Sequence, residues 1–188
     1  ILIDNQKCVF RTGQTILEVA EENGIHIPTL CWLKGTTPTG ACRICLVEIE
    51  GGRALAASCS TPATPNMVVK TSSPRVIKAR RYNLELLLSS GHHNCLAQDL
   101  DNDSWTDAQL KALSVKGHEE LCPAYGDCRL QDLAIAYQVR TNRFQPSEQR
   151  YGIEDVSPLI VRDFSRCILC GRCVQACNEV QVNRAISF

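Results

Sequence analysis

The chain has 188 residues, enough for one or two domains, and although 44% of it is hydrophobic only 5% is aromatic, a modest supply of large core side chains. Twenty Lys and Arg balance twenty Asp and Glu, which excludes the basic footprint of a nucleic-acid or anionic-membrane binder. No apolar run reaches the roughly 18 residues of a membrane span, and the opening ILIDNQKCVF lacks the basic and long apolar regions of a signal peptide, so a cytoplasmic protein is expected.

In chain order, Ile1 and Ile3 alternate into a DNQ turn and a second strand over 7–11, a hairpin pattern. Thr15 with Glu18 forms a capping box, so a helix follows with Ile16, Leu17, Val19 and Ala20 on its buried face, ended by Asn23-Gly24 and Pro28. A loop rich in Thr, Gly and Pro occupies 34–41. Strands are expected over 44–50, 53–57 and 67–70, with a Gly51-Gly52 turn between the first two. The order β-β-α-β-β-β describes an α+β unit of about seventy residues. Ser72 or Ser73 then caps a helix that starts at Pro74 and stops at Gly91, with Lys78, Arg80 and Arg81 on a solvated face. Ser104 or Thr106 is placed to cap a short helix, another helix runs from Arg129 to about Val139, and 141–158 reads as a connecting stretch.

Twelve cysteines carry the chemistry. Disulfide scaffolds are usually shorter than about a hundred residues, and these cysteines cluster as C-x2-C pairs, so metal binding in a reducing compartment is the better reading. The first group is Cys31, Cys42, Cys45 and Cys59, spaced C-x10-C-x2-C-x13-C. Four thiolates suit a [2Fe–2S] rhomb, two per iron, and Gly35 and Gly40 permit a loop to approach it closely. Tetrahedral zinc is the alternative, although the paired C-x2-C knuckles of zinc ribbons are absent. Cys8, on an alternating strand, reads as a buried small hydrophobe, Trp32 and Trp105 as packing residues, and His26 as a surface residue.

IPTLCWLKG, GACRICLVEIEG and ASCSTPATPNMVVKT resemble the N-terminal [2Fe–2S] domain shared by several oxidoreductases. They are the large iron–sulfur subunit of complex I, [FeFe] hydrogenases, NAD-dependent formate dehydrogenases and the diaphorase small subunit of NAD-reducing [NiFe] hydrogenases. The resemblance runs through nearly the whole chain. It implies an N-terminal β-grasp ferredoxin-like domain over 1–72, a helical segment over 73–140 with a [4Fe–4S] cube held by one His and three Cys, and a linker with the start of a bacterial-type 4Fe–4S ferredoxin domain over 141–188.

For the second group, the family pattern H-x3-C-x2-C-x5-C implies Cys95, Cys122 and Cys128, followed by RLQDLA. Here 26 residues separate Cys95 from Cys122, an insertion centred on 96–118. The logarithmic cost of loop closure makes it tolerable, roughly 2 kcal/mol for a tenfold longer loop. Gly91 stands four residues before Cys95, so the histidine ligand lies among His93, favoured by its position in GHHNC, His92, and His118, which stands four before Cys122. Neutral imidazole in place of a thiolate removes negative charge and should raise the cube's potential.

The third group, Cys167, Cys170, Cys173 and Cys177 in CILCGRCVQAC, is spaced C-x2-C-x2-C-x3-C. In two-cluster ferredoxins the first three cysteines of this run hold one cube and the fourth serves the other. The expectation is that a second such run follows in the complete protein, and a first residue of Ile rather than Met agrees with a longer gene product. No G-x-G-x-x-G follows a strand, so no nicotinamide or flavin site is expected, and no catalytic residue is assigned. The resemblance implies an electron-transfer subunit, possible in an electron-bifurcating system, working between a flavin/NADH-binding diaphorase subunit and hydrogenase catalytic subunits. Formate dehydrogenase or complex I is the alternative within the class, and a zinc-stabilised structural module the alternative outside it.

Overall fold

A computed structural model describes residues 1–90, 128–139, 144, 153–154, 158–159, 161–164 and 167–187. They divide into two units, Ile1–Arg80 together with Cys170–Phe188, and Arg81–Leu169.

The first unit contains β1 (Leu2–Ile3), β2 (Gln6–Lys7), α1 (Ile16–Glu22), β3 (Leu46–Ile49), β4 (Ala56–Ala57) and β5 (Val68–Lys70). These strands form one five-stranded sheet in the order β2-β1-β5-β3-β4. Asp4 and Asn5 both take left-handed backbone, φ 46° and 68°, which is what a two-residue hairpin turn with the twist of its strands requires. The β1–β5 pair is parallel, Leu2 opposite Val68 and Ile3 opposite Val69, while the other pairings are antiparallel. A parallel pair needs a long crossover, and 8–67 supplies it. That crossover carries α1 and all four cysteines of the first group.

The expected capping box is present: Thr15 accepts from the Glu18 N–H, and the Glu18 carboxylate accepts from the Thr15 N–H at 2.7 Å. Ile16, Leu17, Val19 and Ala20 point into a core shared with Ile3, Ile27, Val47 and Val69. Cys8 is buried in the same core and Trp32 packs against it, as the sequence suggested, and His26 is exposed. The observed strands are shorter than expected, β4 spanning two residues rather than five.

Helix α2 runs Pro74–Ser90, and Ser73 caps it by accepting from the Val76 N–H at 3.3 Å. One expectation fails here. Arg80 does not lie on a solvated face but is only 2% exposed, with its guanidinium donating to the Leu46 carbonyl at 2.7 Å. Leu46 is next to a cysteine and begins β3, so this long side chain reaches from the helix to the strand that opens at the site.

The C-terminal segment of this unit carries α4 (Arg172–Gln175), which continues into a single π-helical turn, Ala176–Val180. The second unit contains α3 (Arg129–Ala136), started at Cys128 and with Leu130, Gln131 and Ala134 buried. Arg81 donates to the Tyr137 carbonyl just beyond that helix, at 2.8 Å. Ile153–Glu154 (β6), inside the stretch 141–158 expected to be a connection, pairs antiparallel with Arg162–Asp163 (β7), just beyond it. Two-residue strands are too short to show as alternation in a sequence.

Candidate metal centre

Cys31, Cys42, Cys45 and Cys59 are all buried. Two of them are brought together by the sheet. Cys45 precedes β3 and Cys59 lies two residues beyond β4, and the β3–β4 ladder, Leu46 opposite Ala57, is extended by the Ser58 N–H donating to the Cys45 carbonyl at 3.1 Å. The result is a separation of 3.3 Å between the Cys45 and Cys59 sulfurs. Helix α1 fixes the far side of this corner, since the Leu17 N–H donates to the Ser58 carbonyl at 3.0 Å and the Ile16 N–H to the Thr61 carbonyl at 2.9 Å.

The other two meet through the loop. The Cys31 N–H points at the Cys42 sulfur, 3.4 Å away, and Thr39 and Ala41 help to favour the Cys31 thiolate. To fold back this way the loop uses left-handed backbone at Gly40, φ 60°, and at Arg43, φ 55°. At Gly40 the gain is handedness, since an added Cβ would meet only the Ser60 hydroxyl, at an ordinary contact distance of 3.5 Å. Arg43, between Cys42 and Cys45, is a non-glycine residue in a sparsely populated region, a feature that concentrates at functional loops. Its neighbours in sequence gave no sign of it.

Electrostatics repeats the pairing. The Cys31 thiol is held well below its usual range, chiefly because Cys42 donates to it, and the Cys45 thiol is lowered chiefly by Cys59. Cys42 and Cys59 are pushed up, first by that donation and then by burial. Ionising both members of a pair would set two buried thiolates face to face. Only a strongly positive centre makes that favourable. Ser58 adds a donor: it is fully buried, its hydroxyl makes no hydrogen bond within the structure, and it lies close enough to Cys45 to favour the thiolate.

Two pairs of sulfurs, a backbone N–H aimed at one of them and an unsatisfied buried hydroxyl fit a [2Fe–2S] cluster, which these four cysteines would hold. Among the described residues no three His, Cys, Asp or Glu side chains are grouped as a single ion would require.

The remaining candidates are placed as follows. Cys128 is half-buried at the start of α3, whereas His92, His93, Cys95, His118 and Cys122 lie outside the described residues, as do Ser104, Trp105 and Thr106. Cys167 is in the second unit, where its sulfur accepts from the Leu169 N–H at 3.4 Å. Cys170, Cys173 and Cys177 belong to the first unit; Cys173 is exposed, and the Cys177 sulfur accepts from the Ala185 N–H at 3.2 Å. No helix among the described residues is long and apolar enough to cross a membrane.

Residues 1–74 match the model of a 2Fe-2S iron-sulfur cluster binding domain, and residues 160–177 that of a 4Fe-4S binding domain. The chain is 38% identical to the NADP-reducing hydrogenase subunit HndD of Solidesulfovibrio fructosivorans over 100% of its own length and 29% of that protein's. It is 32% identical to the mitochondrial NADH-ubiquinone oxidoreductase 78 kDa subunit of Neurospora crassa, over 96% of this chain and 21% of that one. The chain thus spans less than a third of these curated relatives. Among solved structures, a chain of an NAD+-reducing [NiFe]-hydrogenase, crystallised in the H2-reduced state, superposes with a TM-score of 0.76 at 33% identity, covering 98% of this chain and 68% of that one. The protein therefore belongs to the family of iron–sulfur electron-transfer chains shared by NAD(P)-linked hydrogenases and the complex I-type NADH oxidoreductases.

Proposed function

We propose that this chain is the iron–sulfur relay of an NAD(P)-linked multi-subunit hydrogenase, passing single electrons between a flavin-bearing NADH subunit and a catalytic subunit. The observation that carries the reading is the arrangement of Cys31 with Cys42 and Cys45 with Cys59 in a buried corner. A centre held there has protein sulfur for all of its terminal ligands, which suits electron transfer rather than substrate binding. Bound there, the cluster supplies a reversible one-electron couple. The chain's own part is to hold the sulfurs in place, donate N–H groups toward them and keep water out.

Helix α1 with the five-stranded mixed sheet supports a β-grasp domain. In the same proposal Cys95, Cys122, Cys128 and one of His93, His92 or His118 hold a [4Fe–4S] cube, and Cys167, Cys170 and Cys173 hold a second, with Cys177 serving a further one. The similarity to the 78 kDa subunit of an NADH-ubiquinone oxidoreductase favours a complex I-like assembly as the second reading.

Anaerobic purification with whatever subunits accompany the chain, followed by iron, zinc and acid-labile sulfide analysis and EPR of the reduced protein, tests this. The expected result is a [2Fe–2S] signal that Cys45→Ser abolishes or alters and Cys8→Ser leaves intact. Zinc without sulfide would refute the reading. A co-purifying [NiFe] subunit would support the hydrogenase assignment, and membrane subunits of a quinone reductase would replace it by the second reading.

A further inference from the structure

Thr37 lies in the loop between Cys31 and Cys42, and two side chains from the C-terminal segment of the same unit hold its backbone N–H and C=O. The Thr37 N–H donates to the Glu179 carboxylate at 2.7 Å, and the Gln175 side-chain amide donates to the Thr37 carbonyl. Gln175 ends α4 and is only 6% exposed; Glu179 lies one turn on, in the π-helical turn. Cys173 and Cys177 stand on this same short stretch. On the other side, two residues beyond Thr37, Thr39 is among the groups that favour the Cys31 thiolate. Two hydrogen bonds thus tie the segment bearing Cys173 and Cys177 to the middle of the loop that joins Cys31 to Cys42.

A peptide N–H and C=O on an exposed loop are ordinarily satisfied by water, so nothing local demands these two partners. Their chemical types are also matched: an acceptor faces the N–H and a donor faces the carbonyl. We propose that Gln175 and Glu179 are positioning residues, a clasp that fixes the loop of the first centre against the helix of the third cysteine group and so sets the approach between the two centres. The inference rests on the electron-relay reading for its consequence: one electron lost by one centre is gained by the other, with no bond made or broken and no proton moved. The clasp itself is geometric.

The test uses the full protein in its complex, prepared anaerobically, with four variants. Glu179→Gln keeps an acceptor for the Thr37 N–H, and Glu179→Ala removes it. Gln175→Met removes the donor, and Gln175→Glu sets an acceptor against the Thr37 carbonyl. Hydrogen exchange of the peptide over 35–40 reads the clasp directly, and microwave power saturation of the reduced [2Fe–2S] signal reads the influence of the neighbouring centre. Losing a hydrogen bond to a charged acceptor should speed exchange about tenfold in Glu179→Ala, with Glu179→Gln staying within about twofold of the parent. Gln175→Glu should be at least as impaired as Gln175→Met, and both Gln175 variants and Glu179→Ala should show weakened relaxation coupling at full iron and sulfide content.

Unchanged exchange and saturation in Glu179→Ala and Gln175→Glu would overturn the proposal. So would loss of iron in proportion to loss of coupling, which would make the pair a prop of the fold. Absence of sulfide in the parent protein is a different failure: it would remove the relay reading, and the electron-transfer role with it, even where the exchange pattern held.

Discussion

The Ser58 hydroxyl sits in the corner where β3 and β4 bring Cys45 and Cys59 together, fully buried and without a hydrogen-bond partner in the structure. A buried hydroxyl left in that condition costs about 1–3 kcal/mol, so its retention points to a partner that arrives with the metal centre. A donor directed at ligand sulfur favours the more negative, reduced state. Ser58→Ala should therefore lower the midpoint potential of the [2Fe–2S] centre, by roughly 40 mV for a hydrogen bond worth about 1 kcal/mol, while leaving folding stability unharmed. A redox titration followed by EPR measures it, and an unchanged or higher potential would show that the hydroxyl is turned elsewhere. At this scale the sequence is half informative. The four candidate cysteines stand out because spacing and flanking residues mark them, but which of them face each other does not. Strand pairing sends Cys45 to Cys59 and loop reversal returns Cys31 to Cys42, and neither event leaves a local signature.

Between elements, the junction of β3 and α2 is held by residues that each do two things. Ser73 caps α2 and also donates to the Glu48 carboxylate of β3, while Arg75, in the first turn, stands 3.6 Å from the same carboxylate. Together the Ser73 hydroxyl first, and the Arg75 charge after it, hold the Glu48 carboxyl below its ordinary value of 4.5. A carboxyl whose folded pKa is depressed contributes stability above its unfolded pKa and loses that contribution as the pH falls through the folded one. The stability difference between the parent and Glu48→Gln should thus be present at neutral pH and shrink as the pH drops below 4.5. Ser73→Ala should cost about 1 kcal/mol at neutral pH through the lost cap. Denaturant unfolding of the three proteins across this range checks both, and a pH-independent difference for Glu48→Gln would rule the linkage out. The caps of α1 and α2 are readable in advance because capping chemistry lies within four residues of the helix start. Arg80 is not, since three basic residues in four positions look like a wet face, and only the tertiary path to the Leu46 carbonyl shows that one of them turns inward.

At the scale of the molecule, the candidate cysteines are not an appendage to the core but reach into it: Cys45 and Cys59 belong to the same buried cluster as Ile3, Ile16, Leu17, Val47 and Val69. The sheet and α1 are closed by backbone ladders and by aliphatic packing that need no metal. The loop from Cys31 to Cys42 is different. Its backbone closes a turn from the Thr36 N–H to the Leu33 carbonyl at 3.3 Å, and otherwise it is directed at sulfur and at the clasp from Glu179 and Gln175. Metal bound by ligands that are separate in the unfolded chain contributes its binding free energy to folding, and that contribution falls on the segments it ties together. Anaerobic removal of iron with a chelator and reductant should therefore lower the unfolding midpoint in two stages. Hydrogen exchange should rise first across 31–42 and at Cys59, while β1, β5 and α1 keep their protection until global unfolding. Simultaneous loss of protection in loop and sheet would overturn this, since it would mean that a core so poor in aromatic residues cannot stand without the cluster.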